Sequence, residues 1–513
     1  MKLSNFWKQH EKDIVLHGKK MNIVESCVDR HAENPETSKK LAFVFQNKRG
    51  KTKKYTYKEL YEQVNKFANY FKKLKIKENS HIALFLPKMP ELYISFLAII
   101  KSGSIAVPLF EAFQKQGLEL RLKRGDIDFI ITNKELLKRL KNLKIKNLKK
   151  IIVDFPDFKK KFKNQKTEFK AILKNRKSPC LMIFTSSTAG TPVAGILLSH
   201  EALIQQHYTA KLVLKLNEKE KYWCTAHPGW VTGSVYGIIA PLSIGCTNFI
   251  YKEHFDVKKW ISFLKNNKIS IVYTAPTAFR MLKEKIKKSD FQYVKNICSV
   301  GEALTLPIYD FYKNLGIVIK DTYWQTETGA IVIANLEGRR KALGKAIPGI
   351  TVKIVNKDIS LKPDFPSLMT GIYKHEKMYK NYFKKTWFVT NDLARKDKQG
   401  YFFFEARKDD IIKTSGERVS PLEIESVLEK HKAVKETAVI GIPHEVKGSI
   451  IKAFVVLNKG FEASEKLKQE LSLFVKQNYA GHSYPKEISF IKNLPKTNSG
   501  KIIRMKLRKP ETR

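Results

Sequence analysis

Short apolar runs alternate with longer amphipathic stretches from residue 40 to about residue 335. Residues 82–86 and Ile105–Leu109 are apolar runs of strand length, and residues 90–102 between them carry apolar side chains at helical spacing. This order predicts a βαβ unit. Further strands are predicted at residues 151–154, 181–185, 269–274 and 317–320, and at Phe129–Thr132 and Asn296–Val300. The alternation is typical of an α/β domain, which binds ligands beyond the carboxyl ends of its strands.

The pattern changes after Arg407 to that of a compact α+β unit. Helices are predicted at residues 421–431 and 464–478, and strands at residues 437–442 and 451–457. The polar segment 408–410 separates the two patterns and suits a hinge. We therefore expect a large domain at residues 1–406 and a small domain at residues 407–513, with the hinge near Asp409.

Composition narrows the class of protein. Of the 513 residues, 43% are hydrophobic and 11% aromatic, which is enough to fill several cores and excludes wholesale disorder. The longest apolar stretch, residues 92–100, is well short of the about 20 residues that cross a bilayer, and residues 1–20 lack a secretory signal. The five cysteines form no CxxC pair, which argues against a disulfide framework or a zinc site. A cytoplasmic location is expected.

The chain is strongly basic, with 96 Lys and Arg against 49 Asp and Glu and a formal net charge of +47. Such an excess attracts anionic ligands and favours adhesion to nucleic acid or acidic lipid. The lysines are spread over the whole length, and no recognisable nucleic-acid module accompanies them. Most of the charge is therefore expected to form a solvated surface, with neither a specific nucleic acid nor a membrane as partner. A non-specific polyanion binder is kept as an alternative.

Three polar loops carry candidate chemistry. Residues 184–192 follow a strand and place five hydroxyls and a glycine where backbone N–H groups can hold phosphate oxygens. Residues 321–329 follow another strand and combine an acid, hydroxyls and Trp324, which suits a magnesium-bound nucleotide beside a small apolar group. Residues 494–501 place Lys501 after a Ser-Gly pair, where it can deliver positive charge to a developing anion. Each loop alone is a weak signal, and their order is far more specific.

In this order the motifs resemble those of the adenylate-forming enzymes and, within them, of the AMP-forming acetyl-coenzyme A synthetases. The likeness runs over nearly the whole chain and includes residues 110–113, 222–226, 228–233, 275–281, 300–302, 324–329, 414–419 and 495–501. The sequences Trp-Val-Thr-Gly at residues 230–233 and Trp-Gln-Thr-Glu-Thr-Gly at residues 324–329 are its most specific parts.

The resemblance implies a two-step reaction that uses ATP, magnesium and coenzyme A. Acetate would attack the α-phosphate of ATP to give acetyl-adenylate and pyrophosphate, and the coenzyme A thiol would then displace AMP. The implied fold is α/β, with stacked mixed sheets and helices in the N-terminal domain and a small mobile α+β C-terminal domain that rotates about Asp409 between the steps.

By motif position the resemblance also implies the site residues. The expected catalytic residues are Lys501, Thr326 and Glu327, and Glu327 is also the expected metal ligand. The expected nucleotide-binding residues are Thr185, Ser186, Thr188, Gly190, Gly301, Glu302, Asp321, Thr322, Trp324, Gln325, Thr326, Asp392, Arg407 and Arg418. The expected acetate pocket is lined by Val231, Thr232, Val300 and Trp324, and the expected coenzyme A contacts are Ser415 and Gly416.

Two further expectations concern Trp324 and Lys501. The indole of Trp324 leaves room for little beyond a methyl group, so acetate is favoured and propionate comes second, since one methylene is worth only about 1–3 kcal/mol. Acetylation of Lys501 by a lysine acetyltransferase, as in related synthetases, would remove the charge that the first step requires, and a deacetylase would restore it.

The chain departs from the family pattern at several positions. In the phosphate loop, Ser187 and Ala189 stand in place of a glycine and a threonine, and Val193 stands where a lysine is expected, which should weaken pyrophosphate handling. Elsewhere the replacements are Asn391 and Ala406 for glycines, Ala303 for a proline and His227 for an acid. A working enzyme is favoured because most expected site residues are present. A degenerate nucleotide-binding pseudoenzyme and a propionate or short-chain acyl-CoA ligase stay open.

Overall fold

The computed structural model describes most of the chain. The described residues are 3–145, 147–185, 194–253, 255–408, 410, 412–414, 417–444, 448–478, 484–496 and 502–508. Within them, the α-helices in chain order are α1 (Leu3–Gln9), α2 (Arg30–Glu33), α3 (Pro35–Ser38), α4 (Tyr57–Lys73), α5 (Pro90–Lys101), α6 (Lys115–Arg124), α7 (Lys134–Leu137), α8 (Pro156–Lys163), α9 (Leu203–Leu212), α10 (Val231–Ser234), α11 (Ala240–Ile244), α12 (Val257–Asn266), α13 (Pro276–Leu282), α14 (Leu306–Asn314), α15 (Glu376–Asn381), α16 (Pro421–Leu428), α17 (Glu465–Asn478) and α18 (Arg504–Arg508).

The strands of the described residues are β1 (Lys20–Met21), β2 (Leu41–Gln46), β3 (Thr52–Thr56), β4 (His81–Phe85), β5 (Ile105–Leu109), β6 (Phe129–Thr132), β7 (Lys149–Ile152), β8 (Lys174–Asn175), β9 (Pro179–Phe184), β10 (Gly195–Ser199), β11 (Lys221–Cys224), β12 (Thr247–Tyr251), β13 (Ile271–Thr274), β14 (Asn296–Val300), β15 (Ile319–Tyr323), β16 (Ile333–Ala334), β17 (Lys345–Ala346), β18 (Val352–Val355), β19 (Asp358–Leu361), β20 (Gly371–Ile372), β21 (Phe383–Lys384), β22 (Trp387–Lys396), β23 (Phe402–Arg407), β24 (Ile412–Thr414), β25 (Glu417–Val419), β26 (Val434–His444), β27 (Gly448–Leu457) and β28 (Glu487–Phe490).

A seven-stranded sheet contains the predicted βαβ unit. Its strand order is β20-β10-β9-β5-β4-β6-β7, with parallel pairing from β9 to β7 and antiparallel pairing at β10 and β20. Helix α5 joins β4 to β5 and is buried at every position except Glu91, which explains its largely apolar sequence. Proline at its first position suits a helix start, because the N–H that proline lacks would have no helical partner there.

A nine-stranded sheet supplies most of the strand ends that face the site. Its order is β17-β16-β15-β14-β13-β11-β12-β2-β3, and the six strands from β15 to β2 are parallel. The predicted strand 317–320 is displaced to Ile319–Tyr323, so β15 runs directly into the polar loop at residues 324–329. The carboxyl ends of β13, β14 and β15 therefore meet at one sheet edge.

The two large sheets enclose the main hydrophobic core. It is built from both sheets, from α4, α5 and α9, and from the helical stretch formed by α10, a π-helical turn at Val235–Ile239 and α11. Gly233 lies where this stretch meets the preceding loop, and a Cβ there would overlap the backbone carbonyl of His227. The Trp-Val-Thr-Gly motif therefore needs its glycine for close packing.

A buried ion pair fastens the end of α5 to the rest of the large domain. The ammonium of Lys101 has no exposed surface and lies 2.8 Å from Oδ1 of Asp29. It also donates to Oδ1 of Asn65 at 2.6 Å and lies 4.5 Å from the ring centre of Tyr61. Three partners thus replace the water that a lysine ammonium loses on burial.

The remaining sheets complete the α/β fold and the separate C-terminal domain. Strands β18, β19, β22 and β21 form a further sheet in which β23 pairs with β22, so that Asp392 and Arg407 are opposite each other. In the C-terminal domain β26, β27 and β28 form a three-stranded sheet whose apolar core includes residues of α16 and α17. The predicted helices 421–431 and 464–478 and both predicted strands are confirmed, with α16 ending three residues earlier, at Leu428.

No helix among the described residues is both long enough and apolar enough to cross a membrane.

Candidate active site

Strands β14 and β15 bring two expected nucleotide-binding residues to the sheet edge. They pair in parallel with Val300 opposite Thr322 and Ser299 opposite Asp321. The carboxyl of Asp321 is buried and accepts hydrogen bonds from the Ser299 hydroxyl at 2.6 Å and from the Thr322 N–H at 3.0 Å. Burial raises the pKa of Asp321 to about 7, and these bonds only partly oppose it. Asp321 therefore holds the strand ends in place.

Trp324 is fixed by two tyrosines. Its indole N–H donates to the hydroxyl of Tyr273 at 3.0 Å, and its ring meets that of Tyr236 edge-on with centroids 5.1 Å apart. The Tyr273 hydroxyl also contacts the Thr322 hydroxyl at 2.8 Å. Tyr236 lies in the π-helical turn that continues α10, so the indole is held between β13 and this helix. Only 8% of Trp324 is exposed, which suits a pocket wall with one defined position.

Asp392 lies at the centre of a polar network. Its Oδ2 accepts from the hydroxyl of Tyr323 at 2.8 Å and from the amide of Gln325 at 2.6 Å. Its Oδ1 lies 3.3 Å from Nε of Arg407, and the Asp392 carboxylate raises the pKa of Arg407. Gln325 also donates to the carbonyl of Thr390 at 3.0 Å. These bonds join the loop after β15 to β22 and β23 and fix the Asp392 carboxylate.

Glu327 follows in the same loop. Its Oε1 accepts from the hydroxyl of Tyr382 at 3.0 Å, and burial raises the pKa of the carboxyl. Two residues later Gly329 has a φ of +66°, and a Cβ there would overlap the carbonyl oxygen of Ser367. The loop therefore needs glycine at this position to turn back along the neighbouring chain. Thr326, between Gln325 and Glu327, is half-buried.

Glu302 lies in the loop after β14, next to Gly301. Its Oε2 accepts from the hydroxyl of Thr277 at 2.7 Å, at the start of α13. Its Oε1 is buried and has no hydrogen-bond partner among the described residues. A buried carboxylate oxygen without a donor is costly, so a ligand that brings a donor here would be favoured.

The residues of the expected acetate pocket lie on and beside α10 and at the ends of β14 and β15. Val231 and Thr232 are half-buried at the start of α10, and Val231 packs against the core cluster that contains Val300 and Trp324. The carbonyl of Thr232 lies 3.9 Å from the thiol of Cys224 at the end of β11. All of these residues lie near the carboxyl ends of the parallel strands or on the helix beside them.

Several expected site residues lie outside the described residues, and the phosphate loop is the largest such group. Thr185, its first residue, directly follows β9, and its N–H donates to the carbonyl of Ala194 at 3.1 Å. The expected residues that lie outside are Ser186, Thr188, Gly190, Asp409, Ser415, Gly416 and Lys501, together with the replacements Ser187, Ala189 and Val193. Arg418 is described as part of β25 by its backbone alone.

The departures from the family pattern that are described fit the fold. Asn391 has a φ of +59°, a left-handed conformation that asparagine tolerates better than most residues. Ala406 is buried in β23, opposite Leu393. His227 is buried: its Nδ1 accepts from the N–H of Gly229 at 2.9 Å, and its Nε2 contacts the carbonyl of Leu86 at 3.1 Å. Burial lowers the pKa of His227 to about 3, so the ring is neutral and acts through hydrogen bonds.

Four supporting residues escaped the sequence analysis. They are Tyr323 and Tyr382, which hold the two site carboxylates, and Tyr236 and Tyr273, which hold the indole. Each of these contacts joins residues at least 51 positions apart in the sequence. Thr277, which holds Glu302, lies in the motif at residues 275–281, and Pro276 at the start of α13 was the sequence signal for its position.

The polar network lies at the carboxyl ends of parallel strands, where α/β folds bind ligands, and a separate C-terminal domain follows it in the chain. Residues 28–365 match the family model of the AMP-binding enzymes, and residues 423–501 match the model of the AMP-binding enzyme C-terminal domain. The chain belongs to the AMP-binding enzyme family.

Two curated relatives span nearly the whole chain. It is 39% identical over 519 residues to an acetyl-coenzyme A synthetase of Bacillus subtilis (strain 168), covering 95% of this chain and 90% of the relative. It is 32% identical over 544 residues to an acetyl-coenzyme A synthetase of Methanothrix thermoacetophila, covering 95% of this chain and 82% of the relative.

Solved structures share the fold over the same length. An acyl-CoA synthetase of Brucella canis is 27% identical, with a TM-score of 0.75 and coverage of 98% of this chain and 96% of that one. An anthranilate CoA ligase in complex with anthranoyl-AMP is 24% identical, with a TM-score of 0.87 and coverage of 99% and 98%. At 24% identity, the anthranilate CoA ligase shows a shared fold and nothing more.

Proposed function

We propose that this chain is an ATP-dependent, AMP-forming acetate–CoA ligase. The observation that carries the proposal is the similarity to acetyl-coenzyme A synthetases along nearly the entire chain. In the proposed reaction a carboxylate oxygen of acetate attacks the α-phosphate of ATP, and pyrophosphate leaves. The sulfur of coenzyme A then attacks the carbonyl carbon of acetyl-adenylate, loses its proton, and AMP leaves.

The choice of acetate rests on Trp324. The indole is held by the Tyr273 hydroxyl and the Tyr236 ring, so it cannot easily move aside for a longer acid. Val231, Thr232 and Val300 are proposed as the other walls of the pocket. Propionate is the expected second substrate, because one added methylene changes binding by only about 1–3 kcal/mol.

The proposed nucleotide site follows from the polar network. Asp392 would accept hydrogen bonds from the ribose hydroxyls, because its carboxylate is fixed by Tyr323, Gln325 and Arg407. Glu302 would accept a hydrogen bond from the adenine amino group through its unpartnered oxygen. The other proposed nucleotide contacts are Thr185, Ser186, Thr188, Gly190, Gly301, Asp321, Thr322, Trp324, Gln325, Thr326, Arg407 and Arg418.

The donor set fits a magnesium ion that arrives with ATP. Among the described residues no three His, Cys, Asp or Glu side chains form a metal cluster, whereas Glu327 is one carboxylate whose burial favours a cationic partner. Magnesium commonly binds through one or two carboxylates and the phosphates of the substrate, and it would neutralise phosphate charge. Glu327 is the proposed ligand, held in place by the Tyr382 hydroxyl.

The proposal divides the chain between residues 406 and 407, with a hinge near Asp409. The C-terminal domain would bring Lys501 to the reacting oxygens in the first step, and Ser415 and Gly416 to coenzyme A in the second. Acetylation of Lys501 by a lysine acetyltransferase would block the first step, and a deacetylase would restore it. A cytoplasmic location is proposed because all five cysteines are free, as expected in a reducing compartment.

The direct test is product analysis. Purified protein is incubated with ATP, magnesium and coenzyme A, with acetate, with propionate and with neither acid, and AMP and pyrophosphate are measured. Acetate-dependent formation of both supports the ligase, and a higher kcat/KM for propionate assigns the acid differently. A protein that binds ATP but forms neither product would be the pseudoenzyme.

A further inference from the structure

The C-terminal domain contacts the large domain through one nearly buried carboxylate. Nη2 of Arg280, on α13, lies 3.5 Å from Oε1 of Glu429, which directly follows α16. The side chain of Glu429 is 9% exposed and that of Arg280 is 21% exposed. Burial raises the pKa of the Glu429 carboxyl, and Arg280 and the nearby hydroxyl of Thr305, in the loop after β14, lower it, although that hydroxyl makes no hydrogen bond among the described residues. One carboxylate thus meets two elements of the large domain.

The same two elements hold the proposed adenine site. Thr277 on α13 donates a hydrogen bond to Glu302, at 2.7 Å, and Glu302 lies three residues before Thr305 in the loop after β14. The loop spans only residues 301–305 between β14 and α14. A shift of this loop on nucleotide binding at Glu302 would therefore move Thr305, and a shift of α13 would move Arg280.

Another ion pair, next to α13, also joins the two domains but is more exposed. The ammonium of Lys435 lies 3.7 Å from the carboxylate of Glu284, and both side chains are more than half exposed, at 54% and 64%. Exposed pairs of this kind contribute little, because water and salt screen them. The pair of Arg280 and Glu429 is the better shielded of the two, so it carries most of the charge interaction at this contact.

We propose that Arg280 and Glu429 are positioning residues that couple nucleotide binding to docking of the C-terminal domain. Docking of Glu429 and binding of the nucleotide favour the same arrangement of α13 and the loop 301–305. Each event therefore strengthens the other by the same factor. The catalytic consequence rests on the proposed function, because domain docking matters only to an enzyme that uses both domains in turn.

The first test measures docking without turnover. Trypsin cuts after Arg and Lys, and Arg407, Lys408 and Lys413 lie in or beside the proposed hinge. The full chain is digested with and without ATP and magnesium, in the absence of acetate and coenzyme A. ATP should slow cleavage of the wild type at residues 407–413 by about fivefold or more, the lower end of common coupling factors. Glu429→Gln should lose most of this protection.

Two further variants distinguish a loss of coupling between nucleotide binding and domain docking from general damage to the fold. The double variant Arg280→Glu with Glu429→Arg restores an ion pair and should recover at least half of the protection. Glu284→Gln, which breaks the exposed pair at the same boundary, should behave as the wild type. Because coupling is reciprocal, Glu429→Gln should also weaken ATP binding, measured by titration calorimetry. The factor of weakening should equal the factor by which the variant loses ATP protection against trypsin.

The kinetic readout distinguishes positioning from general loss of structure. Glu429→Gln should raise the KM for ATP about fivefold or more, while the rate of thioester formation from supplied acetyl-adenylate changes less than twofold. Equal ATP protection in wild type and Glu429→Gln, absence of protection in the wild type, or failure of the charge reversal would each overturn the coupling. Because the proteolysis needs no acetate, a protein that shows the coupling but forms no AMP would refute the proposed function alone.

Discussion

Replacing Trp324 with glycine should shift the preference from acetate to longer linear acids. The indole is 8% exposed and fills the space between Tyr273 and Tyr236, so its removal opens room for several methylene groups. Each buried methylene contributes about 0.8 kcal/mol, which corresponds to about fourfold in kcat/KM. Valerate, with three methylenes more than acetate, should therefore gain about 60-fold relative to acetate in the variant.

The structure also indicates that the variant keeps the other side chains of the proposed nucleotide site in place. The Tyr273 hydroxyl loses the indole but retains its contact with the Thr322 hydroxyl, so no buried group is left unpartnered. AMP release is measured with the series from acetate to hexanoate for wild type, Trp324→Phe and Trp324→Gly. Trp324→Phe should give an intermediate profile.

A buried tryptophan outside the site supplies the matched control. Trp223 is 3% exposed and packs against Trp260 and Phe263, in a different core cluster. Trp223→Leu should lower thermal stability without changing the order of preferred acids. If Trp324→Gly lost activity towards every acid in the same proportion, Trp324 would not be a wall of the acid pocket and the reasoning would fail.

Three further predictions concern the ion pair, the ribose site and pH. Lys101→Met should lower the free energy of unfolding by about 3–5 kcal/mol, because it leaves the Asp29 carboxylate buried without its cation. Adding Asp29→Leu should recover most of that loss in urea denaturation, and no recovery would contradict the charge explanation. Asp392→Asn should raise the KM for ATP by about tenfold or more, since it weakens the bond to Arg407 and the proposed ribose contacts, with the KM for acetate as the internal control. The pKa of His227 is lowered to about 3 in the fold, against 6.5 when unfolded, so the unfolded state binds the extra proton below pH 6.5. Stability should fall as pH drops from 6.5 towards 3, and His227→Gln should reduce the slope by up to about 1.4 kcal/mol per pH unit; an unchanged slope would show that His227 is not the group involved.

The strands were predictable wherever an apolar run has clear ends. The bounds of Ile105–Leu109, Phe129–Thr132 and Asn296–Val300 are those expected. Glycine or polar residues flank the last two runs, and the first begins directly after Ser104. The strand expected at residues 317–320 shifts to Ile319–Tyr323, because Tyr323 pairs with Ile333 in β16 across the turn. Local sequence gives no information about that pairing.

The motif residues of the site were predictable from the sequence, but the residues that hold them in place were not. Glu327 stands out in its loop, whereas its partner Tyr382 lies 55 residues away in a segment with no motif. Lys101 looks like an ordinary helix-end lysine, and its burial depends on Asp29, 72 residues earlier in the chain. Such pairings depend on tertiary packing, which periodicity and motif order do not encode.

The hydroxyl of Tyr273 has a consequence for how this protein could be adapted to new acids. It contacts Thr322, a proposed nucleotide residue, and Trp324, a proposed wall of the acid pocket, which lie two positions apart on one strand and its continuation. Residues at this spacing share a face and are separated by about 6.6 Å. A sequence lineage or an engineer can therefore exchange the side chain at position 324 to admit a different acid. Moving the strand itself would displace the acid and the nucleotide together, so substitution is the accessible route and backbone change is not.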